Sequence, residues 1–148
     1  MFNKETNSTV IICRSVEETH DLTAQILEKL HGKKIIGLTG TLGAGKTEFV
    51  RGAAKVIGAE EDVSSPSYTL QNIYKSKQHP INTIYHWDLY RISGGVDINE
   101  LSEGKHDAKS VTFIEWAEKF PEIEGILDIK ISIEIIDDNT RQFTITRI

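Results

Sequence analysis

Apolar residues fall along this chain in short runs that switch between two periods. Thr9-Val10-Ile11-Ile12-Cys13 is β-rich. Ser15-Val16-Glu17-Glu18 fits a capping box, with Ser15 accepting from a free amide and Glu18 reaching back. Leu22, Ile26 and Leu30 then recur at helical spacing, and Gly32 is a stop signal. Ile35 to Thr39 reads as a buried strand, and Gly40 opens a glycine-rich turn. A helix is expected from Lys46 to Ile57, ending at Gly58. Tyr68 to Tyr74 and Thr83 to Tyr90 read as strands of a hairpin, joined by a polar link containing Pro80. Val111 to Glu115 is a further apolar strand. Ile129, Ile131, Ile133 and Ile135 alternate with Lys130, Ser132 and Glu134, a period of two. Asp137-Asp138-Asn139-Thr140 then turns the chain back into Phe143 and Ile145. Helices and strands interleave early and hairpins dominate late, which predicts an α/β sandwich around a mixed sheet.

Composition adds limits to this picture. The chain has 148 residues, enough for one domain (1–148) with a core that needs neither disulfides nor a structural metal. The single cysteine, Cys13, cannot pair within the chain, and no Cys/His spacing suggests zinc. No basic-then-apolar leader opens the sequence, and no apolar run is long enough to span a membrane. These features predict a soluble, cytoplasmic protein with no membrane partner. Seventeen Lys and Arg against twenty-two Asp and Glu give a net charge of −5. That balance argues against a protein whose main task is gripping nucleic-acid phosphates.

One segment carries explicit chemistry. Gly40-Thr41-Leu42-Gly43-Ala44-Gly45-Lys46-Thr47 matches G-x-x-x-x-G-K-[ST] in full, with an apolar strand before it and a helix after. Glycines let backbone amides curl around phosphate oxygens, and the helix start adds its positive dipole end. Lys46 is placed to bridge the β- and γ-phosphates, and the Thr47 hydroxyl to ligate Mg²⁺. Such a loop needs a carboxylate near the metal, and two strand ends offer one. Alternation in Ile84-Tyr85-His86-Trp87-Asp88 places Ile84, His86 and Asp88 on one face, opposite Tyr85, Trp87 and Leu89. In Val111-Thr112-Phe113-Ile114-Glu115 the acid ends a nearly apolar run. Ser64-Ser65-Pro66-Ser67-Tyr68-Thr69 occupies the region where GTPases keep a γ-phosphate-sensing switch. Gly104-Lys105-His106-Asp107 lacks the Asn of a guanine-reading motif and follows a polar stretch, so guanine specificity is not expected.

Together these segments resemble the TsaE (YjeE) family, small P-loop ATPases of bacterial tRNA threonylcarbamoyladenosine biosynthesis. The resemblance runs through Gly43-Ala44-Gly45-Lys46-Thr47 with Phe49, Arg51 and Gly52, then Ser65-Pro66-Ser67-Tyr68-Thr69-Leu70. It continues through His86-Trp87-Asp88-Leu89-Tyr90-Arg91 and Ile114-Glu115-Trp116. Thr41 stands where the family usually has Asp, Ser67 replaces a Thr, and Ala117 replaces the Pro of I-E-W-P-E. The stretch from Ser93 to Lys109 also departs from the family pattern.

The resemblance implies a P-loop NTPase fold, with a mixed, mostly parallel sheet flanked by helices and antiparallel hairpins. It implies ATP and Mg²⁺ as ligands, held by Leu42, Gly43, Ala44, Gly45, Lys46 and Thr47. Glu115 corresponds to the metal- or water-positioning acid, and Asp88 to a second metal-side acid. Lys46, Glu115 and Asp88 would then be catalytic, and Thr47, Glu115 and Asp88 would serve the metal. Trp116 would pack beside the nucleotide, while Val16 and Thr19 (within Ser15 to Thr19) and Arg141 would touch its edge. The implied partners are TsaD and TsaB. TsaD transfers the threonylcarbamoyl group, tRNA is engaged only through that complex, and ATP hydrolysis lets the complex turn over. Small-molecule kinase chemistry and a nucleotide-dependent binding switch are the competing readings, although no acceptor pocket or Arg-bearing lid is evident.

Overall fold

Strand β2 (Ile35–Thr39), buried at all five positions, lies at the centre of a seven-stranded sheet in the computed structural model. The structure describes residues 7–30, 32, 34–63 and 70–148. The other strands are β1 (Ser8–Cys13), β3 (Gln71–Lys75), β4 (Thr83–Asp88), β5 (Ser110–Glu115), β6 (Ile129–Ile135) and β7 (Arg141–Arg147). Their spatial order is β1-β7-β6-β2-β5-β4-β3. The four central strands, β6, β2, β5 and β4, run parallel, and antiparallel β7, β1 and β3 extend the sheet at its two edges. The sheet is mixed, with the two expected hairpins, β3–β4 and β6–β7, present.

Two helices cover one face. In α1 (Val16–Glu28) the capping box forms with a one-residue offset: Ser15 accepts from the Glu18 amide, while Glu18 takes the Arg14 amide. The helix ends four residues before Gly32, because Lys29 leaves helical dihedrals and turns its N–H to Ile26 O. Leu30 still reaches the core. Helix α2 (Lys46–Ile57) ends at Gly58 as its sequence predicts. Phe49, Val50, Ala53 and Ile57 form its buried stripe, and Phe49 stacks between Phe113 of β5 and Phe143 of β7. Gly52 lets α1 approach: a Cβ there would lie 2.8 Å from both His20 Cδ2 and Thr23 Oγ1.

The opposite face is covered by short pieces, α3 (Ile98–Leu101) and 3₁₀ turns at Glu103–His106, Ala117–Lys119 and Pro121–Ile126. Ile35, Trp87, Leu89, Leu101, Ile114 and Ile123 belong to the second core on that side. The expected alternation in β4 therefore holds, with Ile84 in the helix-side core and Trp87 and Leu89 in the other. β4 stops at Asp88, two residues short of expectation, because the Asp88 carboxylate takes the Tyr90 N–H in a local turn. The Gly104–Asp107 segment packs on Tyr85 and Thr112, away from the glycine-rich loop. Tyr68 and Thr69, expected to open β3, lie outside the described residues, as does the rest of Ser64–Thr69. No helix among the described residues is long and apolar enough to cross a membrane.

The α1–α2 contact yields a stability test. Gly52→Val forces His20 and Thr23 aside and should cost about 1–3 kcal/mol by overpacking. Thermal denaturation should then show a midpoint lower by roughly 2–10 °C, and an unchanged midpoint would contradict the packing.

Candidate nucleotide-binding site

The chain leaves β2 through residues 40–45 and re-enters regular structure at α2. Gly45 caps that helix with φ 111°, a left-handed conformation that side chains resist. A Cβ on Gly40 would lie 2.7 Å from the backbone oxygen of Ile133, so the loop closes directly on β6. Ala44 N–H donates to Thr41 O at 3.0 Å. The result is a bend that ends on the positive pole of a 12-residue helix, the geometry that suits an anion.

Lys46 is 4% exposed, and its ammonium donates to Gly40 O at 2.6 Å and Thr41 O at 3.0 Å. It also lies 4.0 Å from the centroid of a Trp116 ring. Burial pushes the Lys46 pKa below the ordinary lysine value, against the opposing pull of Glu115, Glu118 and Asp88. Trp116 holds φ 62° and ψ 36°, a strained conformation for a bulky residue. Its N–H is tied to Leu38 O at 3.0 Å, and a ring of Tyr90 sits 4.9 Å from it. Glu118, three residues beyond Glu115, accepts the Gly40 N–H at 3.1 Å and so fastens the loop's first residue. Desolvation raises the Glu118 pKa, opposed by the Gly40 N–H and by Lys46.

Thr47 turns inward. Its hydroxyl lies 3.1 and 3.0 Å from the two oxygens of Glu115, which is 3% exposed. Parallel pairing of β2 with β5 sets this contact by placing Glu115 beside Leu38, just before the loop. The next strand puts Asp88 level with Glu115. Asp88 therefore stands beside Glu115, and it is Glu115 that engages Thr47. A hydroxyl and two carboxylates are hard oxygen donors, the type that Mg²⁺ takes together with phosphate and water. The fully buried His86 places Nε2 2.5 Å from Glu115 Oε2.

On the other side of the loop a cavity of about 270 Å³ opens between α1, the loop and the β6–β7 turn. Val16, Thr19, Gly43, Ala44, Gly45 and Arg141 line it, bringing together all the expected edge contacts. Arg141 does so as a clamp. Its guanidinium donates to Ala44 O at 3.0 Å and to Asp137 O at 2.7 Å, pinning the turn to the loop. Leu42 is 70% exposed on the outer side of the loop. Sequence reading did not identify Glu48, Asp138, Asn139 and Phe143 as lining, nor Glu118 as the loop's fastening. For Glu118 a signal existed, since it is the second acid of the Ile114-Glu115-Trp116 segment's extended pattern.

Comparison with known proteins bears on this geometry. The family model for "Threonylcarbamoyl adenosine biosynthesis protein TsaE" matches residues 13–143. A curated tRNA threonylcarbamoyladenosine biosynthesis protein TsaE from Aquifex aeolicus is 36% identical over 140 residues, covering 93% of this chain and 95% of that one. The Haemophilus influenzae protein of the same name is 38% identical over 118 residues, 78% of this chain and 73% of its own. Among solved structures, Bacillus subtilus YdiB superposes with a TM-score of 0.66 at 25% identity, covering 95% of this chain and 85% of that one.

Burial of the Lys46 ammonium has a measurable consequence. Because its folded pKa is lowered, the unfolded state binds more protons between that value and the ordinary lysine value. Stability contributed at this site therefore rises with pH through that window. Lys46→Met, which removes the titrating ammonium, should not share this pH dependence. Wild type should gain on it in denaturant titrations as pH rises toward the ordinary lysine value, whereas a stability difference that does not change with pH would contradict the assignment.

Proposed function

The chain belongs to the TsaE family, and on that premise we propose that it binds ATP with Mg²⁺ and hydrolyses it to support tRNA N6-threonylcarbamoyladenosine formation. The Thr47–Glu115 contact carries this reading. It joins the last residue of a phosphate-binding loop to a buried carboxylate at the end of the neighbouring parallel strand, where a nucleotide-hydrolysing site needs one. The coarse part, a nucleotide-binding chain with a P-loop-like fold, rests on the family match and the structural neighbour.

The chemistry follows from where the groups stand. Amides of Gly43 to Thr47 receive the phosphate oxygens, and the cavity beyond Gly43 takes the base and ribose. Lys46 exchanges the carbonyls of Gly40 and Thr41 for the triphosphate, where its charge offsets that developing on the transferring group. Glu115 orients the attacking water in line with the γ-phosphate and accepts its proton, giving ADP and phosphate. Thr47, with Glu115 and Asp88 alongside, would hold Mg²⁺, which would supply charge neutralisation for the phosphates.

Two of the chain's arginines are already engaged. Arg141 is bound to backbone carbonyls, and Arg51 pairs with Glu48 and Val63 O, so neither is placed to stabilise the transition state. Slow hydrolysis by the isolated chain is expected, with the TsaD–TsaB pair completing the site. A net charge of −5 suits a subunit that leaves tRNA to that pair.

Hydrolysis assays test this directly. Glu115→Gln should keep ADP affinity within a few-fold while lowering ATP turnover by about 100-fold or more, and Lys46→Ala should lose both. TsaD–TsaB should accelerate the wild type. Equal rates with and without the pair, or normal turnover by Glu115→Gln, would contradict the proposal.

A further inference from the structure

Behind Glu115 the sheet carries a line of polar side chains that the ATPase reading leaves without a task. His86 of β4 is fully buried, and Tyr74 of β3 is 2% exposed. His86 Nε2 lies 2.5 Å from Glu115 Oε2, His86 Nδ1 lies 3.0 Å from the Tyr74 hydroxyl, and Asn72 Nδ2 donates to that hydroxyl at 3.3 Å. Strand register builds the line, since Asn72 pairs with His86 and Asp88 with Glu115. Residues of matching parity on β3, β4 and β5 then face α2 together.

Hydrogen-bond direction assigns the role. The Glu115 carboxylate accepts, so the His86 Nε2 that lies 2.5 Å from it carries a hydrogen, and the Tyr74 hydroxyl, 3.0 Å from Nδ1, can donate to the ring's other nitrogen. A neutral imidazole that accepts at Nδ1 must carry its hydrogen on Nε2, which faces the Glu115 carboxylate. The carboxylate is presented as an acceptor to both His86 and Thr47. On the ATPase reading Thr47 would also serve phosphate and metal, and His86 would then be the partner that keeps Glu115 in place.

We propose that His86 is a positioning residue for ATP hydrolysis, with Tyr74 fixing its tautomer so that the Nε2–H holds Glu115 in the orientation that aims the attacking water. The proposal rests on the ATPase reading above. It differs from a merely space-filling role for His86, because what matters is one N–H at one place.

The test uses the full-length chain, with single-turnover ATP hydrolysis at saturating Mg²⁺, calorimetric ADP affinity and thermal melting for each variant. His86→Leu should slow hydrolysis by about tenfold or more while ADP affinity stays within threefold of wild type. His86→Gln, whose amide can present an N–H to Glu115, should recover most of that loss. Tyr74→Phe should slow wild type by a few-fold and have no effect in the His86→Gln background, where no tautomer remains to be fixed. Should His86→Leu fail to fold, the Gln and Tyr74→Phe arms decide. A folded His86→Leu at the wild-type rate, a His86→Gln no better than it, or additive losses in the double variant would overturn the proposal. Wild-type hydrolysis no faster than that of Lys46→Ala would overturn the ATPase reading, and the positioning role with it. Normal wild-type turnover with indifferent His86 variants would overturn the positioning role alone.

Discussion

The Thr47 hydroxyl on the Glu115 carboxylate is the contact through which the sheet and the phosphate-binding loop become one device. Neither residue could place it alone. Thr47 is fixed by the first turn of α2, which Phe49 holds against β5 and β7. Glu115 is fixed by the parallel pairing of β5 with β2. A slip of one residue in that register would turn Glu115 to the opposite face, among the apolar side chains of the second core. The fold's central pairing thus decides whether a carboxylate meets the loop.

Charge burial explains much of the surrounding architecture. A buried ammonium is costly unless its donors are occupied, and Lys46 finds two loop carbonyls and an indole face. Those partners are neutral, so they can be exchanged for phosphate without separating an ion pair. Trp116 is held in a left-handed conformation to supply that face. On the far side of the loop Arg141 spends its guanidinium on carbonyls, which makes the cavity wall rigid and leaves it unavailable for catalysis.

What the sequence made legible divides by range. The loop, α2 with its end at Gly58 and the two hairpins follow from local signals, namely glycine spacing, helical periodicity and strict alternation. Alternation alone placed His86 and Asp88 on one face, and the structure adds that Glu115 shares it. Contacts distant in sequence were not legible. Glu118 reaches Gly40 across 78 positions and Arg141 reaches Ala44 across 97, so these contacts depend on strand order, even though the family pattern marks both residues. The 3₁₀ turns on the second face escaped for a related reason: their short apolar segments carry no long period, and Ile35, Trp87 and Ile114 of the sheet hold them. β4 fell short of its predicted end because an Asp side chain competed for a backbone amide.

The chain belongs to a tRNA threonylcarbamoyladenosine biosynthesis family, and the share of that modification proposed for it is a nucleotide cycle supplied to others. The most direct measurement of that claim is reconstituted threonylcarbamoylation of tRNA by TsaD–TsaB, counting product formed per TsaD with and without this chain. The account predicts many products per TsaD when the wild-type chain and ATP are present, and about one or fewer when the chain is absent or carries Lys46→Ala. Equal product per TsaD in all three reactions would contradict it.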